Sequence, residues 1–159
     1  MKICIWITKI FDLGGTKRVV SLLANELVKE HEVTIMTYED RFREDRTMYH
    51  LSEDINVDFI DNSQFVNKHH TPAFCARYLV KKLNDRSGLF NKKSLNPILA
   101  EAIFSKKTRE KWVEYFNSQD YDVILTTASL SLRLAMIAPR LKAATIGWQH
   151  NCYDGYLHV

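Results

Sequence analysis

Two adjacent glycines, Gly14 and Gly15, separate an apolar run from an amphipathic segment near the start of the chain. Glycine has no Cβ atom, so such a turn can adopt positive φ and another molecule can approach its backbone closely. The first amides of a following helix have no partners within it and lie at the positive end of its dipole. The turn is therefore a candidate anion-binding site, although a plain strand-to-helix turn also uses glycine.

The segment DLGGTKR, residues 12–18, matches neither of two well-known phosphate-binding motifs. Its spacing is not the G-x-G-x-x-G of dinucleotide-binding folds, nor the G-x-x-x-x-G-K-[ST] of the P-loop. An ordinary dinucleotide enzyme and a P-loop nucleotide hydrolase are therefore disfavoured. A degenerate nucleotide-binding loop with Lys17 as the phosphate contact stays open, but Lys17 should lie inside the helix, and no Ser or Thr follows it to bind magnesium.

The elements that would position this turn alternate between strands and helices. Apolar runs of strand length predict strands at residues 2–7, 32–38, 56–61, 121–127 and from 143 to about 150. A helical stripe after the glycines contains Val20, Leu23, Ala24, Leu27 and Val28. Further helices are expected from Thr71-Pro72 through Leu83, from Asn96-Pro97 through Phe116 with a bend around SKKTREK, and over residues 129–142. The charged residues 39–54 have no convincing period and are interpreted as a loop.

This alternation predicts an α/β fold, with a doubly wound, mostly parallel sheet and helices on both faces. The 159 residues, 46% of them hydrophobic, correspond to about one domain with a substantial core. In such sheets ligands bind beyond the carboxyl ends of the strands, where the strand order reverses. This rule selects the glycine turn, the TTAS turn at 126–129 and WQHN at 148–151.

Two segments resemble glycosyltransferase family 4 enzymes. In that family a Gly-Gly turn and a Leu-Ala-rich helix precede an H-x-V-x-(I/V) strand, which is similar to DLGGTKRVVSLLANELVKEHEVTIMT. A later family segment, in which a D-V strand, a helix and another strand deliver a histidine to the cleft, is similar to YDVILTTASLSLRLAMIAPRLKAATIGWQHN. The resemblance covers roughly residues 1–40 and 120–153.

The resemblance implies the GT-B architecture, in which two doubly wound, Rossmann-like domains face each other across a cleft. Residues 1–159 would be the N-terminal, acceptor-side domain of a retaining glycosyltransferase that acts on a cytoplasmic-face glycan or lipid-linked acceptor, as in polysaccharide biosynthesis. The missing C-terminal domain would bind most of the nucleotide-sugar donor, expected to be a UDP-sugar, and would carry an E-x(7)-E pair. Glu101 and Glu110 do not have that spacing. The isolated chain is therefore expected to be inactive.

The resemblance also assigns roles to individual residues. Gly14 and Gly15 would approach the donor diphosphate or the sugar, with Thr16 as the helix N-cap. His150 would project into the cleft as the catalytic-site residue, and Asn151 and Thr127 would lie beside the acceptor. Amides and cations would meet the charge of the leaving diphosphate, so no metal and no tightly bound cofactor are expected.

Positive charge is concentrated in the middle of the chain. Residues 66–115 contain 11 Lys or Arg and 4 Asp or Glu, against a net charge of +3 for the whole chain. A basic amphipathic surface suits an anionic membrane, and a solvated face is the alternative. The predicted membrane patch consists of Arg77, Lys81, Lys82, Lys92 and Lys93. Nucleic-acid binding is disfavoured because no recognised module accompanies the charges.

Other features of the sequence restrict the class of protein. Cys4, Cys75 and Cys152 are odd in number and far apart, which predicts reduced thiols instead of a disulfide framework or a zinc site. No apolar stretch approaches a membrane span, and no cleavage signal follows Met1, so a cytoplasmic protein, peripheral at the inner membrane face, is expected. Two alternatives remain: a non-catalytic glycosyltransferase-like partner or membrane-recruiting module, and an unrelated nucleotide-binding α/β domain.

Overall fold

The computed structural model describes residues 1–61, 104–127 and 129–148, and the single residues Phe65, Ala76, Leu79 and Leu83. Strands and helices alternate through this part of the chain. In order, the elements are β1 (Lys2–Ile7), α1 (Gly15–Leu27), β2 (Glu32–Thr37), β3 (Asn56–Phe59), α2 (Lys106–Ser118), β4 (Val123–Thr127), α3 (Ser129–Ile137) and β5 (Ala144–Trp148). Short 3-10 turns at Arg41–Arg43 and Ala138–Arg140 complete the described elements.

The five strands form one parallel sheet with the order β3-β2-β1-β4-β5. Trp6 of β1 is in register with Met36 on one side and with Thr126 on the other, so the carboxyl ends of the three central strands lie at one edge. The chain order reverses between β1 and β4, which are neighbours in space. The predicted α/β, Rossmann-like sheet is confirmed.

Side chains of β1 alternate between two cores because successive residues of a strand point to opposite faces. Ile3, Ile5 and Ile7 pack on the face that α1 covers with Val20 and Ala24. The other face carries Cys4 and Trp6 and packs against α2 and α3, where the buried contributors are Trp112, Val113, Phe116, Leu130, Leu134 and Ile137. Helices therefore cover both faces, as a doubly wound fold requires.

An aromatic cluster forms the centre of the core under α2. The ring centroid of Trp112 lies 4.7 Å from that of Trp6 and 3.9 Å from that of Phe65, which stacks on it. Phe116 adds an edge-to-face contact with Trp6 at 5.2 Å. Such pairs contribute beyond the area that they bury, so this cluster fixes how α2 sits on β1.

The helix predicted to run from residue 96 to Phe116, with a bend around SKKTREK, is described only from Phe104 onward. Phe104 and Ser105 are not helical, and α2 starts at Lys106 because the Ser105 hydroxyl accepts a hydrogen bond of 3.3 Å from the Thr108 amide. The charged segment SKKTREK thus contains the start of α2. Residues 96–103 lie outside the described residues.

Strands β3 and β4 are also shorter than their apolar runs predicted. Ile60 and Asp61 follow β3, and Tyr121 and Asp122 precede β4. The Ile60 amide donates to the carbonyl of Thr37, which is the last residue of β2. β2 therefore has no further strand residue with which Asp61 could pair. Residues 39–54 contain turns and one short 3-10 segment, which agrees with their interpretation as a loop.

The helix expected after Thr71-Pro72 is confirmed at Ala76, Leu79 and Leu83, which are helical. Leu79 and Leu83 are 56% and 65% exposed, so they do not join either core. The basic residues of the predicted membrane patch, Arg77, Lys81, Lys82, Lys92 and Lys93, lie outside the described residues, and the patch stays a prediction. None of the helices in the described ranges combines the length and apolar character that crossing a membrane requires.

Cys4 is a free, fully buried thiol in the middle of the sheet. Burial raises the pKa of this thiol far above its usual value, and the negative charge of Asp58 adds to the effect. The thiol is therefore unreactive in the folded protein. Cys75 and Cys152 lie outside the described residues.

Replacing Ser105 with Ala should lower the free energy of unfolding by about 1 kcal/mol, because the Thr108 amide loses its capping acceptor. Urea denaturation followed by circular dichroism measures this change. Ser118→Ala, at the exposed carboxyl end of α2, is the matched control and should change stability by less than about 0.5 kcal/mol. Equal effects of both variants would show that the cap does not set the start of α2.

Candidate functional site

The glycine turn lies where the order of the strands reverses. It follows the loop after β1, and the neighbouring strand β4 ends at Thr127 at the same edge of the sheet. The chain leaves β1 toward α1 on one face and leaves β4 toward α3 on the other. Two chain segments that separate in this way form a crevice, which is the usual ligand site of this fold.

The two glycines have different conformations. Gly14 has φ +158° and ψ 149°, a backbone region that is almost restricted to glycine. Gly15 is the first residue of α1 and does not have positive φ, so that part of the prediction is wrong for Gly15. A Cβ atom built on Gly15 would meet no atom of the described chain within 4 Å. Gly14 makes the turn, and Gly15 borders open space.

The predicted N-cap role of Thr16 is wrong. Gly14 is the N-cap, no side chain caps the helix, and Thr16 is a half-buried residue within its first turn. The first capping bond runs from the Arg18 amide to the Gly14 carbonyl, 3.1 Å away. The amides of Gly15, Thr16 and Lys17 have no hydrogen-bond acceptor in the described ranges, and they lie at the positive end of the helix dipole.

The side chain of Lys17 folds back over the turn. Its Nζ atom lies 3.5 Å from the Leu13 carbonyl oxygen and would be 3.1 Å from a Cβ atom on Gly14. An ammonium group thus accompanies the three open amides, while the Asp12 carboxylate lies in the same loop and accepts a hydrogen bond of 2.9 Å from the Leu13 amide. The expected position of Lys17 inside the helix is confirmed, but its charge reaches the turn.

A buried carboxylate fixes the loop between β1 and the glycine turn. The Oε2 atom of Glu39 accepts hydrogen bonds from the amides of Ile10 and Phe11, at 2.7 and 2.8 Å. Glu39 follows β2, which pairs with β1, so the sheet brings it against this loop. Hydrogen bonds to a charged acceptor are among the stronger ones in proteins. Glu39 lies in a segment without periodicity, so the sequence did not predict this role.

Tyr49 holds the other end of the same loop. Its hydroxyl accepts a hydrogen bond of 2.9 Å from the Gly14 amide and donates to the Asp12 carbonyl, 3.2 Å away. Both contacts of the loop therefore come from the segment between β2 and β3. The sequence signal for these contacts was an acidic residue or a tyrosine in the segment that follows a strand next to β1. This signal is weak, because many loops contain such residues.

A second charged group, the guanidinium of Arg133, lies on the α3 side of the crevice near Tyr38. The Trp6 indole Nε1 donates to the Tyr38 hydroxyl at 3.0 Å. Burial raises the pKa of Tyr38 to about 12, while the charge of Arg133 and hydrogen bonds from Trp6 and Arg133 oppose that shift. The guanidinium carbon of Arg133 lies 5.9 Å from the ring centroid of Phe104, within cation–π range.

The remaining predicted site residues divide into two groups. Thr127 lies at the end of β4 as expected, but its side chain is 4% exposed and does not line an open surface. Trp148, at the end of β5, packs against the α1-side core. His150 and Asn151 lie outside the described residues, so their predicted cleft positions stay predictions.

A polar pair lies near the edge strand β3. The Tyr115 hydroxyl donates to Asp58 Oδ2 at 2.6 Å, and burial, together with this carboxylate, raises the tyrosine pKa far above its usual value. Within the part of the chain that the structure describes, no three His, Cys, Asp or Glu side chains are grouped so that they could hold a metal ion.

No protein-family model matches this chain, and a search of curated proteins gives no significant match. The fold and the crevice define a Rossmann-like α/β domain whose glycine turn presents open helix amides and the Lys17 ammonium. The likeness to glycosyltransferases therefore rests on the sequence segments quoted above.

The two glycines should respond in opposite ways to alanine. Gly14→Ala should lower the free energy of unfolding by about 1–3 kcal/mol, because alanine is strained at this φ. Gly15→Ala should leave stability unchanged or raise it by up to about 1 kcal/mol, because the added methyl meets no atom and restricts the unfolded chain. Chemical denaturation of both variants measures the difference, and equal losses would contradict this account of the turn.

Replacing Glu39 with Gln should lower the free energy of unfolding by about 1–3 kcal/mol, because two charge-assisted hydrogen bonds become neutral or are lost. Hydrogen exchange at the Ile10 and Phe11 amides should accelerate more than exchange elsewhere in β1. Glu26→Gln, which removes an exposed carboxylate paired with Lys29, is the control and should have an effect near zero. Unchanged exchange at both amides would refute the role of Glu39.

Proposed function

We propose that this chain is the N-terminal, acceptor-side domain of a retaining glycosyltransferase with the GT-B architecture. The enzyme would transfer a sugar from a nucleotide-sugar, with a UDP-sugar as the expected donor, to a glycan or lipid-linked acceptor. The observation that supports this most is the open glycine turn at the reversal of strand order. The family resemblance puts the donor against the same turn.

The turn has the chemistry that the leaving group of such a reaction needs. Breaking the bond between sugar and phosphate develops negative charge on a nucleoside diphosphate, and donors aimed at that charge lower the barrier. The open amides of Gly15, Thr16 and Lys17, together with the Lys17 ammonium, are donors of this kind. The empty space beside Gly15 would let a phosphate or sugar oxygen approach the backbone.

The other roles follow from the resemblance. His150 would contact the acceptor or the donor sugar, and Asn151 would hydrogen-bond beside it. A second doubly wound domain would bind the nucleotide and close the cleft. The basic residues Arg77, Lys81, Lys82, Lys92 and Lys93 would hold the enzyme at an anionic membrane, where a lipid-linked acceptor resides.

The experiment compares Gly15→Val with wild type in the protein that carries both domains, with UDP-sugars as donors and lipid-linked or polymeric acceptors. Sugar transfer should fall at least about tenfold, because valine fills the space that the donor needs and misplaces it. The melting temperature should change little. Ala135→Val, on the exposed surface of α3, is the matched control and should leave the transfer rate unchanged.

Three outcomes would contradict the proposal. Sugar transfer by the 159-residue chain alone would show that a second domain is not needed. Donor binding without transfer by the two-domain protein would favour the non-catalytic partner. Tight nucleotide binding by the 159-residue chain would favour an unrelated nucleotide-binding domain.

A further inference from the structure

Arg133 occupies an unusual position for a charged side chain. It is half-buried on α3, and its guanidinium lies over the Phe104 ring and beside the Tyr38 hydroxyl. Tyr38 follows the last residue of β2, and Trp6, which donates to it, belongs to β1. The side chain therefore belongs to the cluster at the carboxyl end of the sheet, and it is not directed into bulk solvent.

The topology places this guanidinium at the crevice. α3 begins two residues after β4 ends, and Arg133 lies one turn into it, about 6 Å along the helix axis. To reach Tyr38 beyond β2, the side chain must pass over the end of β1, which lies between β2 and β4. Arg133 therefore stands on the α3 side of the same sheet edge whose α1 side carries the glycine turn.

The charge of Arg133 has no counter-charge in the part of the chain that the structure describes. The ion pairs of Lys2, Lys29 and Arg46 with neighbouring glutamates do not include it. The Tyr38 hydroxyl stays protonated at neutral pH because its pKa is about 12, so it contributes a dipole and no charge. The aromatic face of Phe104 compensates only part of the cost of removing a cation from water.

A planar guanidinium in this environment suits one class of ligand. Arginine presents two parallel N–H donors that match the oxygens of a phosphate group, and partial burial strengthens that interaction. Across the crevice, the glycine turn offers open amides and an ammonium group. A ligand that meets both sides needs negative charge spread over more than one group, and a diphosphate has this property.

We propose that Arg133 binds the diphosphate group of a substrate in the crevice between the ends of β1 and β4, opposite the glycine turn. The site itself follows from the described residues, and only the identity of the diphosphate compound rests on the proposed function. That compound is either the nucleoside diphosphate of the donor or the diphosphate of a lipid-linked acceptor.

The test titrates the 159-residue chain with inorganic diphosphate and follows the Arg133 Nε–H and Trp6 indole N–H resonances by NMR. Both resonances should shift, because Trp6 donates to the tyrosine that contacts Arg133. Arg133→Gln should weaken binding about 10- to 100-fold, the usual effect of losing a hydrogen bond from a charged donor. Arg140→Gln, an equal charge change at an exposed residue of the 3-10 turn after α3, should weaken it less than about threefold.

Arg133→Lys replaces Arg133→Gln in this test if the glutamine variant does not fold. Lysine keeps the charge and loses the planar pair of donors. It should weaken diphosphate binding about 3- to 10-fold. An unshifted Arg133 resonance, or equal weakening by the variants at 133 and 140, would overturn the proposal. Separate titrations with UDP and farnesyl diphosphate distinguish the donor from the lipid-linked acceptor. The compound whose affinity falls in Arg133→Gln identifies the substrate whose diphosphate binds at Arg133.

The experiments test the proposed function and the proposed diphosphate site separately. Loss of diphosphate binding in Arg133→Gln, in a two-domain protein that transfers no sugar, would keep the site and reject glycosyl transfer. Sugar transfer at an unchanged rate in Arg133→Gln would reject the site and keep the function.

Discussion

Strand β1 pairs with β2 on one side and with β4 on the other, and its side chains must fill two separate cores. A strand in this position has no exposed face, which is why every residue from Ile3 to Ile7 is apolar. The chain can leave its neighbours only by crossing to opposite faces, α1 on one and α3 on the other. The crevice is the direct result of this double pairing.

The shape of the glycine turn depends on its neighbours as much as on its own residues. The Glu39 carboxylate accepts hydrogen bonds from the amides of Ile10 and Phe11, and the Tyr49 hydroxyl accepts one from the amide of Gly14. Those donors are therefore closed to any ligand, whereas the first amides of α1 remain open. The carboxylate of Glu39 is thus buried within the loop, and the open amides and the Lys17 ammonium lie beyond it.

Local periodicity was enough to predict the sheet. The continuous apolar run KICIWI marked the central strand, and the stripe from Val20 to Val28 marked α1, because both depend on residues close in sequence. The pairing of the strands joins residues 21 or more apart, as in Val123 with Ala144. The contact of Tyr49 with Gly14 and the placement of Arg133 beside Tyr38 join residues 35 or more apart. No period in the sequence encodes such contacts. The cap at Ser105 is local, but the charged residues after it concealed the start of α2.

The buried thiol of Cys4 gives the protein an internal reporter. Its sulfur lies in the middle strand, with no exposed surface and a pKa raised by burial, so a thiol reagent reaches it only after β1 separates from its neighbours. Peptide-resolved mass spectrometry after alkylation would distinguish this cysteine from Cys75 and Cys152. When the reagent reacts faster than the sheet closes, the labelling rate of Cys4 equals the opening rate of the sheet centre. The wild-type chain can thus record its own kinetic stability without an added probe.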